Sequence, residues 1–321
     1  MSGARRSRRG FALIAAVWLM VAMSAVGLEV ALVARDHRLA AANALEGATV
    51  RAAAASGVEH ARARLARALV EGGSRRSWND VQSIVDPWHQ LDGIMPDSTV
   101  IGAGSYRVRL IDLGTRLNIN TVTESDLRRF FVAQRIDAAQ ADALAQAMMD
   151  WRDADDFKRG RGAERDDYIK ARLAELPRNA PFESLDELLQ VRGMSRAIFA
   201  RVRNDVTTLG SGQINVNAAP REVLMSLPGI TELAAQIIVR AQQSRRRIGS
   251  LQELTDLLPA QARAPLQEQL SALLPRLAFA TTEVLVESEG RLTGSPVHAE
   301  MEAVIARGGQ TAFVVWRQER Q

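Results

Sequence analysis

Between Phe11 and Ala34 the chain carries a single charge, Glu29, in an otherwise apolar run. A helix over that stretch rises about 36 Å, enough to cross a hydrocarbon core of roughly 30 Å and longer than the apolar region of an ordinary secretory signal. The pattern then changes without a break. From Arg35 to Leu69, alanines alternate with Leu39, Leu45, Val50, Val58, Leu65 and Leu69, a narrow apolar stripe at three and four spacing. No proline precedes Pro87. One continuous helix is therefore predicted, spanning first and packing afterwards, with its end at Gly72 and Gly73.

After a loop rich in Pro, Asp and Gly, the period shortens to two. "SYRVRLIDLGTRLNIN" places Tyr106, Val108 and Leu110 on one face of a strand. "TTEVLVESEGR", "PVHAEMEAVIARGG" and "TAFVVWRQE" give three more strands joined by glycine turns, with Trp316 as a core or interface aromatic. Between these strand regions, Thr121 to Leu277 reads as helical throughout. The simplest architecture is a head split in sequence, with a helical domain inserted into it.

Composition changes this picture little. The formal net charge is +4, and Arg5, Arg6, Arg8 and Arg9 account for as much. The remainder is near balance, which removes most of the electrostatic case for nucleic acid as a general partner. There is no cysteine, so disulfides and thiolate chemistry are excluded. The four histidines stand apart from one another, and no phosphate loop, dinucleotide fingerprint or nucleophile elbow occurs. No enzyme class is indicated.

The middle repeats itself. "NINTVTESDL" at Asn118 echoes "NVNAAPREVL" at Asn215, and "FESLDEL" at Phe182 echoes "IGSLQEL" at Ile248. Turn and cap residues dominate these runs, so they read as helix starts, with Thr123, Pro220, Ser184 and Ser250 at the caps. Val191 to Met194 and Leu227 to Ile230 share a glycine turn flanked by helices, the helix-hairpin-helix pattern. Such turns bind phosphate when basic side chains surround them, or serve as scaffold. Arg192 and Arg196 lie near the first, whereas Thr231 and Glu232 follow the second.

"DWRDADDFKRGRGAERDDYIK" gathers Asp150, Asp153, Asp155, Asp156, Glu164, Asp166 and Asp167 around two glycines, interleaved with five basic residues. Two readings stand: a site for a hard cation such as Ca²⁺, or a solvated salt-bridge network. The spacing is not that of an EF-hand.

A basic leader ending in Gly10, ahead of a Phe that begins a long apolar helix, resembles the type IV prepilin signal. Together with the paired "NIN" and "NVN" runs, the acidic loop, the helical insertion and the terminal strands, the whole chain is similar to general secretion pathway protein K. That family is the large minor pseudopilin of type II secretion systems. The resemblance implies an α+β, pilin-like fold: a long N-terminal transmembrane helix on an antiparallel sheet, with a large inserted all-α domain holding hairpin repeats. Its parts would be a leader (1–10), a span (11–34), a head in two pieces (35–120 and 277–321) and the insertion (121–276). Prepilin peptidase would cut between Gly10 and Phe11, and Phe11 would be N-methylated. Most pilins carry Glu at the fifth mature residue, and Ala15 stands there instead, a mark of the subunit at the filament tip.

The implied setting is the inner membrane, N-terminus cytoplasmic and bulk periplasmic, with minor pseudopilins of the I and J type as partners and no nucleic acid. The family also implies calcium, for which Asp153, Asp155, Glu164 and Asp167 are the chosen ligands. The contrasting possibility is a membrane-anchored DNA-binding protein of the competence type, using the two hairpins.

Overall fold

The computed structural model describes residues 7–74, 86–89, 91, 93–173 and 175–320, with side chains of the first helix from Phe11 to Glu71. That helix, α1 (Ser7–Ser74), runs unbroken for 68 residues, about 100 Å at 1.5 Å per residue. The two glycines of its expected end, Gly72 and Gly73, lie in its last described turn, immediately before Ser74. Its most apolar window is wholly unburied. Further along, Ala54, Val58, Ala61, Leu65 and Leu69 fall on one face and are buried against Val284, Val286, Ala303 and Ile305 of the sheet.

Contact between helix and sheet is close because Gly57 has no side chain. A Cβ there would lie 2.2 Å from the Ser288 hydroxyl and 3.0 Å from the side chains of Tyr106 and Val108.

The sheet is antiparallel in the order β1-β2-β7-β8-β9. Its strands are β1 (Thr99–Ile101), β2 (Gly104–Asp112), β7 (Glu283–Leu292), β8 (His298–Gly308) and β9 (Thr311–Arg320). Asp112 pairs with Val284, and Leu285 with Val304. Everything between β2 and β7 in sequence is therefore an insertion between two neighbouring strands.

The insertion contains β3 (Leu117–Asn118), α2 (Glu124–Ala133), α3 (Ala138–Arg152), α4 (Arg165–Lys170), α5 (Arg196–Val202), β4 (Val206–Thr207) and β5 (Ile214–Asn215). It continues with α6 (Arg221–Leu224), α7 (Glu232–Gln243), α8 (Leu251–Leu257), α9 (Ala260–Glu268), α10 (Leu270–Leu273) and β6 (Leu277–Ala278). It is not purely helical. β3 pairs with β4 and β5 with β6, both parallel. The insertion runs from 113 to 282 where 121–276 is expected, and the asparagine runs are strand ends before they are helix starts.

Two hydrophobic cores result. One, around Leu117, Phe130, Phe131, Trp151, Tyr168 and Leu224, belongs to the insertion. The other lies between α1 and the sheet. A small cluster of Leu113, Leu285 and Val304, with Leu209 and Trp316 partly buried against it, covers the opposite face of the sheet.

Candidate functional site

The asparagines tie the insertion into two like units. In the first, Asn118 Oδ1 accepts the Asn120 N–H at 2.9 Å. Asn120 then donates to the carbonyls of Phe182 (2.9 Å) and Thr208 (3.2 Å), and accepts the Phe182 N–H at 2.8 Å. In the second, Asn215 accepts from Asn217 at 3.0 Å. Asn217 donates to Ile248 and Phe279, both at 2.8 Å, and accepts the Ile248 N–H at 2.8 Å. Each unit thus closes the echoed "FESLDEL" or "IGSLQEL" segment and the returning strand onto the same asparagine. These side chains satisfy buried backbone groups that a helix start alone would not reach. The capping residues also act locally, with Thr123 capping α2 and Ser250 capping α8.

Both hairpin turns hold glycine at positive φ, +89° at Gly193 and +76° at Gly229, a region costly for side chains. Their surroundings differ. A Cβ on Gly193 would meet only Leu144, at 3.4 Å, whereas one on Gly229 would lie 2.6 Å from the Pro265 carbonyl and 2.8 Å from the Leu266 Cα. The second turn is therefore packed against α9. At the first, the Arg192 N–H donates to the Tyr168 hydroxyl at 2.9 Å, and the Arg192 guanidinium lies 3.7 Å from Asp167. Burial pushes the Tyr168 hydroxyl up to about 12. Both turns are engaged with the domain's own core.

The acidic loop connects α3 to α4 and is sorted into paired and unpaired carboxylates. Asp150 is buried and bonded to Arg159, by its guanidinium at 2.7 Å and its backbone N–H at 3.2 Å. Arg159 also binds Asp153 Oδ2. Lys158 donates to Asp167 at 3.0 Å, which holds that carboxyl below its usual range. Asp155 is exposed and accepts the Phe157 N–H at 2.9 Å.

Glu164 differs from all of these. It is buried, and neither of its carboxylate oxygens has a hydrogen-bond partner; Asp153 Oδ1 is likewise buried and unpartnered. Burial, then the negative charges of Asp150, Asp153, Asp156 and Asp155, raise Glu164 to about 7. Of the four ligands chosen from the sequence, the structure leaves free oxygens on Glu164 and Asp153 and commits Asp167 to a lysine. Among the described residues no three acidic or histidine side chains converge as a finished ligand set.

At the other end of the chain, Phe11 is exposed on α1, as is Ala15. Met1 to Arg6 lie outside the described residues, as do the side chains as far as Gly10. The processing site is therefore not described beyond the helical backbone from Ser7.

A helix long and apolar enough to span a membrane, laid on an antiparallel sheet with a helical insertion, defines a pilin-like fold. Its fold is similar to that of a chain in the crystal structure of the GspK-GspI-GspJ complex from the type 2 secretion system of enterotoxigenic Escherichia coli. The match has a TM-score of 0.60 at 19% identity and covers 83% of this chain and 94% of that one. No curated protein sequence matches. Residues 112–211 match the family model for protein K of the type II secretion system. That match covers the end of β2 and the first of the two asparagine units.

Proposed function

We propose that the chain is the minor pseudopilin that caps the tip of a periplasmic pseudopilus and helps start its assembly. It would work without catalysing a reaction, held by one span in the inner membrane with its bulk outside. One observation carries this reading: the protein K domain is seated at the end of α1 remote from the span. Residues at the foot of the insertion sit beside Trp88, whose indole donates to the Leu65 carbonyl at 3.0 Å. A domain mounted there obstructs stacking of another subunit above. Ala15 agrees with this placement, since a buried carboxylate that neutralises the next subunit's terminal amine is needed only where a next subunit exists. Partners would be the I and J type minor pseudopilins, the names carried by the complex that supplies the matching fold.

N-terminal mass analysis of the membrane-extracted protein tests the reading. The expected mature chain begins at Phe11 with one added methyl group. An intact leader in cells with active prepilin peptidase would remove the pseudopilin assignment.

The acidic loop supports a Ca²⁺ site as part of the same proposal. Glu164 and Asp153 offer buried oxygens without donors, the chemistry a hard cation takes. A bound ion would neutralise the carboxylates that now repel one another and fix the loop between α3 and α4. Arg159 and Lys158 perform some of that neutralisation in its absence.

A further inference from the structure

The two halves of the insertion use their first asparagine differently. Asn118 donates back into its own unit, to the Leu209 and Gly210 carbonyls. Asn215 instead donates to Asp112 Oδ2 at 2.8 Å, at the end of head strand β2. The same Asp112 oxygen accepts the Thr281 hydroxyl at 2.9 Å, and its other oxygen accepts the Gly114 N–H at 2.8 Å. Thr281 passes the connection on: its N–H donates to Asp86 Oδ2 at 2.9 Å. Asp86 also accepts Arg307 of β8 at 2.8 Å, and Arg247 of the insertion approaches it to 3.8 Å. Asp86, Asp112, Asn215 and Thr281 are all buried.

The chain crosses between head and insertion twice, once after Asp112 and once before β7, and this network holds both crossings. Hydrophobic packing across this boundary is confined to a small cluster, where Leu113 and Leu209 meet Leu285 and Val304 of the sheet, and the two main cores are separate. Buried carboxylates whose oxygens meet only donors tolerate little displacement, since a shift strands donors and charge together. We infer that Asp86, Asp112, Asn215, Thr281 and Arg307 form a buried polar joint that sets the angle of the inserted domain on the head, independently of either core. Its consequence for a pseudopilus, a cap held at one fixed inclination to the helix axis, rests on the capping function proposed above.

The full-length protein in detergent allows a direct test, because a chain without cysteine accepts spin labels only where they are placed. Labels at Ala52 of α1 and Ala200 of α5, both exposed, report the distance between head and insertion. The wild-type joint gives one narrow distance distribution. Asp112→Asn leaves one acceptor oxygen where two now take the donors of Asn215, Thr281 and Gly114, and should broaden the distribution and split one melting transition into two, with helical content retained. The exchange Asp112→Asn with Asn215→Asp restores the donor and acceptor pairing and should restore the narrow distribution. A narrow, unshifted distribution in Asp112→Asn overturns the joint. So does failure of the exchange to recover it, or a single lowered transition in which both parts melt together. None of these readouts depends on secretion, so a failed joint and a failed capping function are told apart.

Discussion

Glu164 is a carboxylate for which a proton and a divalent cation would compete. Its folded value of about 7 lies above the ordinary 4.5, so the native state binds the proton more tightly than the unfolded chain does. The stability this contributes is fully present below about 4.5 and is lost as pH rises through about 7. Metal-free protein should therefore melt at a lower temperature at pH 8 than at pH 5, and calcium should restore more at pH 8. Glu164→Gln should raise metal-free stability at pH 8 by about 2 kcal/mol and abolish the calcium increment. Thermal melts with chelator and with calcium check both, and a calcium increment unchanged in the variant would remove Glu164 from the site.

Gly229 and Gly193 offer a second contrast at this scale. Ala at Gly193 should cost about 1–2 kcal/mol for its backbone conformation alone. Ala at Gly229 should cost more than about 3 kcal/mol, because the backbone of α9 must also move. Equal losses in denaturant titrations would show that the packing against α9 contributes nothing.

At the scale of elements, α1 divides its work between two environments without a joint. Leu65 is fully buried in the head core, whereas Leu45 is 70% exposed. Leu65→Ala should lower head stability by about 2–5 kcal/mol, and Leu45→Ala should leave it unchanged, as measured by urea unfolding in detergent. This helix was legible in the sequence because its stripe kept a helical period to Leu69, and β2 was legible because Tyr106, Val108 and Leu110 alternate. The short ribbons were not. Two residues are too few to show a period, and their partners, such as Leu117 and Val206, are far apart in sequence. The asparagine repeats were visible but read only as local caps, since sequence spacing cannot reveal that Asn217 reaches Ile248 and Phe279. Likewise, the acidic loop displayed all its carboxylates, yet only packing separates Glu164, left without donors, from Asp167, held by Lys158.

Considered whole, the molecule is a conventional strand ladder with a large domain where β2 should turn into β7. Asp112 and Val284 face each other across that ladder, so the two ends of the insertion leave the head within one interstrand spacing, about 5 Å. Replacing residues 113–282 by a short Asn-Gly turn should therefore leave a head that folds, with the far-UV spectrum of helix plus sheet and a cooperative melt. Complete unfolding of that shortened chain would show that the head cannot stand without its passenger. The geometry has an evolutionary reading as well. Enlarging a single reverse turn is among the least disruptive ways to add a domain to an existing sheet, because no strand has to be reordered. A small head of helix and sheet thus carries the whole superstructure at one point in its chain, and the doubled asparagine unit enlarges it without touching the ladder beneath.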